Sequence, residues 1–206
     1  MADVKRSYHA PVREEQARRT RARILDAAAA SFATSGWAGT TVASVARAAG
    51  VTPQAVHLSV GAKPTLLIAA VAAAAAGEED ERPLREREPF RTAYDAEVSI
   101  ALRAEAFATG TRQVYERAGA LFLVLAQTAP AEPELADLWE RARGDRLLDC
   151  RTLVRSAGHR GREARRRAEL LFVQSGPAAH AELVGLGWSQ NAYQAWLART
   201  VEDLLT

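Results

Sequence analysis

The chain has 206 residues, of which 48% are hydrophobic and 25% charged, with a net charge of +2. That balance excludes an intrinsically disordered chain and fits one or two globular domains with a real core. The longest clean apolar run, Leu66 to Ala76, is about half of the ~20 residues that cross a bilayer, so no membrane association is expected.

The N-terminus, MADVKRSYHAPVREEQARR, has no apolar stretch of signal-peptide type, and a cytoplasmic protein is the expectation. Cys150 is the single cysteine, which rules out an intrachain disulfide and a cysteine-based zinc cluster. The charge is unevenly distributed. Residues 1–66 hold nine Lys and Arg against four Asp and Glu (+5), and residues 67–206 hold eighteen against twenty-one (−3). A basic first third on a mildly acidic remainder fits an anion-binding module joined to a second domain.

Residues 1–17 lack apolar periodicity and read as a flexible basic arm. A first helix is expected from about Arg18 to Ser35, because Ile24, Leu25, Ala28, Ala29 and Phe32 recur at helical spacing and Gly36 stops it. Thr40 and Thr41 precede a second helix whose apolar face is Val42, Val45, Ala46 and Ala49, and their hydroxyls with the helix's free N–H groups are suited to a phosphate. Gly50 suits a sharp left-handed turn, Thr52 a helix cap and Pro53 a first helical turn. Val56 is then the inward residue of a third helix, with Gln54, Ala55, His57 and Leu58 largely outward. This is the spacing of a DNA-binding helix-turn-helix. Lys63, one of two lysines in the chain, opens a fourth helix, where a cation opposes the helix dipole and an external anion would relieve it.

The run TRARILDAAAASFATSGWAGTTVASVARAAGVTPQAVHLSVGAKPTLL resembles the DNA-binding region of the tetracycline-repressor (TetR) family. The resemblance rests on Ile24-Leu25-x-Ala27-Ala28, Phe32, Gly36 followed by an aromatic, Thr40-Thr41-Val42, Val45-Ala46, Ala49-Gly50-Val51, and Lys63 followed by Leu66-Leu67. The chain departs from the family pattern at His57, Ser59, Val60, Ala62 and Pro64. On this footing Thr40, Thr41, Thr52, Pro53, Gln54, Ala55, His57, Leu58 and Lys63 are the candidate DNA-binding residues.

Residues 77–93, charged and broken by Pro83 and Pro89, read as a connector. The remainder is helical by pattern. Helices are expected over about 96–117, 118–128, 133–157, 162–174, 177–186 and 190–205, and no segment alternates as a strand does. The fold class is therefore all-α, with nine to ten helices: residues 1–66 form the basic arm and helix-turn-helix domain, and residues 67–206 a helical ligand-binding and dimerisation domain. The resemblance implies that this second part forms a homodimer and a small-molecule pocket. Its candidate pocket residues are Arg103, Phe107, Tyr115, Phe122, Trp139 and Phe172, with Leu125 and His180 beside them. Its candidate interface residues are Phe172, Tyr193 and Trp196, with Trp188 nearby.

No phosphate loop, paired metal-ligand histidines or nucleophile elbow is present, so neither enzymatic activity, nor a metal, nor a cofactor is expected. The expected function is a sequence-specific transcriptional regulator, a ligand-responsive repressor acting as a homodimer on a palindromic double-stranded DNA operator, with an unknown small-molecule effector. The alternative is a helical small-molecule- or partner-binding dimer with a weakened DNA reader.

Overall fold

The structure, a computed structural model, describes residues 10–77 and 82–206. Ten α-helices and no strand are found among the described residues, so the all-α reading holds. Two compact units divide the chain between Ala73 and Ala74.

The N-terminal unit is built from α1 (Ala10–Gly39), α2 (Val42–Ala49), α3 (Pro53–Ser59) and the larger part of α4 (Lys63–Ala76). Its core is Ile24, Ala28 and Phe32 from α1, Val45, Ala46 and Ala49 from α2, Val56 from α3, and Leu66, Leu67, Ala70 and Val71 from α4. Such a set sits on one stripe of each helix, so folding removes all four stripes from water at once. The chain turns at Gly36 (φ 64°), which lets Trp37 stack on Phe32 with ring centroids 6.0 Å apart.

One expectation is overturned here. Residues 10–17 are helical and extend α1, whereas the sequence reading made them part of a flexible arm. Glu15 explains why a segment without apolar periodicity is helical: it bonds both Arg18 and Arg19, one turn ahead. Residues 1–9, with Lys5 and Arg6, lie outside the described residues, as do Glu78 and Glu79.

In the C-terminal unit a short 3-10 turn (Leu84–Glu86) and α5 (Phe90–Tyr94) lead to α6 (Ile100–Thr128), α7 (Pro133–Ser156), α8 (Gly161–Gln174), α9 (Pro177–Gly185) and α10 (Gln190–Leu205). Helix α6 is the axis, packed most extensively on α10, while α7 pairs with α8. The core joins Ala104, Phe107 and Ala108 of α6 to Leu153 and Val154 of α7, Ala168 and Leu171 of α8, and Tyr193, Leu197 and Val201 of α10. Two further expectations are corrected. The helices foreseen over 96–117 and 118–128 are one uninterrupted helix of 29 residues, since Ala118 and Gly119 are buried within it and no capping residue intervenes. The stretch read as a plain connector carries the 3-10 turn and most of α5. Phe90 meets Phe107 edge-on at 6.1 Å and lies over α6 at Gly110, where a Cβ would stand 2.7 Å from the Phe90 ring.

Candidate functional site

The reader is set by its helix ends. Thr41 caps α2: its Oγ1 accepts from the Ser44 N–H at 3.0 Å, and the Thr41 N–H donates to Ser44 Oγ at 3.0 Å. This reciprocal pair satisfies two of the N–H groups a helix start leaves open. Gly50 (φ 65°, ψ 37°) ends α2 in the left-handed region, and the Val51 N–H donates to Ala46 O at 2.9 Å. Thr52 then caps α3 by accepting from the Ala55 N–H at 3.2 Å, with Pro53 in its first turn. Val56 is fully buried and anchors α3, while Gln54 and His57 are exposed and Ala55 is half-buried. Leu58 is 82% exposed. Arg21 of α1 donates to Ser59 O and holds the far end of α3.

Thr40 and Thr41 have separate surroundings. Thr40 is buried, and its hydroxyl donates to Gly36 O at 2.8 Å, which commits it to the turn rather than to a phosphate. Thr41 is exposed. The Lys63 ammonium stands over the Trp37 ring, 4.2 Å from its centroid, an attraction between the cation and the ring's negative face. The guanidinium groups of Arg18 and Arg19 hold the Glu15 carboxyl below its ordinary range, through hydrogen bonds first and charge second.

Residues 24–70 match the model of the family of bacterial regulatory proteins, tetR family. Residues 24–70 are thus a helix-turn-helix segment of the tetR-family type. No curated protein matches the sequence. Among solved structures, the fold is similar to a protein of Rhodococcus sp. assigned to the TetR family of transcriptional regulators, with 19% identity, 91% of this chain and 98% of that chain covered, and a TM-score of 0.69. It is also similar to a transcriptional regulator from Rhodococcus sp. Rha1 (19% identity, 90% and 95% covered, TM-score 0.69). A third is a protein of Mesorhizobium loti MAFF303099 assigned to the TetR family (19% identity, 92% and 96% covered, TM-score 0.55). The chain as a whole thus has a TetR-like fold, a helix-turn-helix domain followed by a helical domain. Among the described residues, no single helix is long and apolar enough to cross a membrane.

The helical domain of this TetR-like chain holds a partly open cavity of about 240 Å³. Of the residues foreseen there, Phe107, Tyr115 and Phe122 line it, and Arg103, Trp139 and Phe172 do not. Arg103 is only 2% exposed and is tied up structurally: its Nε donates to Ala93 O at 3.0 Å and its far end to Ser156 Oγ. Phe172 lies under the Arg146 guanidinium at 3.7 Å, and Trp139 faces Arg143 at 5.9 Å. Leu125 is plain core. His180 packs between Tyr115 and Tyr193, with Nε2 2.9 Å from Gln190 Oε1.

The other wall comes from residues the sequence reading missed: Asp145, Arg146, Asp149 and Cys150 of α7, Thr111 and Val114 of α6, and Leu84, Arg85, Phe90 and Tyr94 of the connector. The available signal was the spacing on α7, where Asp145 and Asp149 are four residues apart, as are Arg146 and Cys150. Each pair shares a face. Burial pushes the Cys150 thiol up to about 11. Burial also raises the Asp149 carboxyl, with Arg85 opposing and Asp145 adding to the effect. Tyr115, whose hydroxyl donates to Ser175 O at 2.8 Å, is raised by burial too.

As for the interface candidates, Tyr193 is wholly buried within the chain itself and offers no surface to a partner. Trp196 is half-buried and edge-on to the more exposed Trp188 at 6.3 Å, and Phe172 is half-buried beneath Arg146. The large apolar groups that do face outward on α8 are Leu170 and Val173.

Proposed function

We propose that this chain is a sequence-specific transcriptional regulator, a ligand-responsive repressor that acts in the cytoplasm as a homodimer on a palindromic operator. The observation that carries the reading is the outward face of α3. Gln54, His57 and Leu58 project from a helix that is capped at Thr52, anchored by Val56 and held at its end by Arg21. A rigid short helix with an amide and an exposed apolar group is what a major groove accepts. Gln54 suits an adenine edge, and Leu58 suits a thymine methyl. Thr41, His57 and Lys63 take phosphates, and Thr52, Pro53 and Ala55 set how closely α3 approaches.

A reader this small contacts few base pairs, so affinity and specificity call for two copies about one helical turn apart, roughly 34–36 Å. The exposed Leu170 and Val173 of α8, with Trp196 of α10 and Trp188 just before it, supply apolar groups for that pairing. Residues 1–66 are the reader and residues 67–206 the effector and dimer part. The physical link is α4, which starts at Lys63 and ends at the cavity wall. Arg117 of α6 donates to Ala74 O and Ala75 O, both at 3.1 Å, and Arg87 to Ala76 O at 2.9 Å. An effector that moves α6 or the connector therefore moves the end of α4. To shift the two readers from one spacing almost wholly to another takes about 5.5 kcal/mol of differential binding.

Selection of duplexes from a random pool by the full-length protein tests this. The expected product is a palindrome whose half-sites lie one turn apart. A pool that shows no enrichment contradicts the reading.

A further inference from the structure

We infer that the α6–α7 cavity takes a small organic monocation with an aromatic or other apolar body, its ammonium facing Asp149. The inference rests on reading that cavity as the effector site, and it adds the ligand's charge and size. At about 240 Å³ the cavity falls below the roughly 300–1,000 Å³ of sites for drug-sized molecules, so the occupant is small. The walls are rich in aromatic rings. Phe90 and Phe107 meet edge to face at 6.1 Å, as do Tyr115 and Phe122, and all four line the cavity. Such a lining suits an apolar body, and aromatic rings attract a cation.

The charges around these rings are not equivalent. Arg146 is already engaged, with one guanidinium nitrogen donating to Phe172 O at 2.6 Å and its plane over the Phe172 ring. Arg85 sits on the exposed connector turn. Asp149 is half-buried in the wall and makes no hydrogen bond or ion pair with any described residue. Asp145, one turn before it on the same helix, adds a second negative charge rather than a partner. A carboxylate withdrawn from water without a hydrogen-bond donor is costly, and an ammonium in the cavity supplies that donor and the opposite charge together. Of the two cations in the lining, Arg146 is spent on Phe172 and Arg85 stands out on the exposed turn, so an anionic ligand would meet Asp149, with Asp145 beyond it, at the half-buried wall.

Three probes of one shape separate the alternatives: 2-phenylethylammonium, the neutral 2-phenylethanol and the anionic phenylacetate. They are titrated calorimetrically into the full-length protein without DNA. The cation is expected to bind at least tenfold more tightly than the alcohol, and phenylacetate most weakly. Asp149→Asn, with its fold checked by a thermal melt, is expected to abolish the cation's advantage while leaving the alcohol's affinity within twofold. Phe122→Ala is expected to weaken cation and alcohol alike. Phenylacetate binding as well as the cation, an Asp149→Asn variant that keeps the cation preference, or failure of all three probes to bind would each overturn the inference. If the cation binds through Asp149 yet leaves operator affinity unchanged, the inference stands and the ligand-responsive reading fails.

Discussion

In the N-terminal unit, Thr41, Gly50 and Thr52 fix three helix ends in quick succession, and the functional face of α3 follows from them. In the C-terminal unit, the cavity forms where α6, α7 and the connector converge, and its walls come from residues as far apart as Ala75 and Ser175. The first kind of geometry is encoded locally and tolerates little change in the residues that make it. The second depends on a frame of long helices whose lining can be exchanged without altering the frame. This accounts for a family match confined to residues 24–70 beside a fold likeness that covers 91% of the chain at 19% identity.

Substitutions sharpen the contrast. The largest loss is expected from Arg103→Ala in the C-terminal frame. It removes the buried donor to Ala93 O and leaves a void between α5, α6 and α7, at a cost of about 3 kcal/mol in a denaturant melt. A loss below about 1 kcal/mol would mean that the frame does not depend on this tie. The next effect is a pH dependence. Burial raises Cys150 from an ordinary value of 9.0 to about 11, so the folded state holds the thiol proton more tightly than the unfolded state does. The associated stability is complete below pH 9 and is lost as pH rises through 11, amounting to roughly 2–3 kcal/mol. Comparing melts at pH 8 and 10.5, wild-type protein should lose more stability than Cys150→Ala.

On the reader side, Gly50→Ala meets no atom within 4 Å, so its cost is purely the left-handed backbone, about 1 kcal/mol, with DNA affinity falling as the angle between α2 and α3 loosens. The smallest change is expected from Lys63→Ala. With Lys63 in its proposed place on a phosphate, the change weakens binding to every duplex and lowers the slope of log affinity against log salt by about one. A changed base preference in this variant would show that Lys63 reads sequence instead.

The same contrast governs what the sequence made legible. Gly50, Thr52 and Pro53 mark turns by their own backbone preferences, and the ends of α7 to α10 are likewise marked by Pro133, Gly158, Gly161, Pro177 and Ser189, so these elements fall close to where they were expected. Helix α1 begins earlier than expected because Glu15, Arg18 and Arg19 favour helix through charge pairs, which leave no apolar stripe to read. Arg103 and Tyr193 were assigned to a pocket and an interface because a long polar or aromatic side chain at helical spacing looks the same whether it faces a cavity, a partner or its own core. Only packing distinguishes them, and it places both inside. Asp149 and Arg146 carry no sequence signal of the cavity, because a charge on a helix looks the same whether it faces solvent or a cleft between helices.

The central claim, that α3 reads sequence from a helix-turn-helix of TetR type, is tested most directly by titrating the full-length protein with the selected palindrome and with a scrambled duplex of equal length at several salt concentrations. The expected preference for the palindrome is at least about 10³, with both affinities falling steeply as salt rises. Equal affinity for the two duplexes at every salt concentration would contradict it.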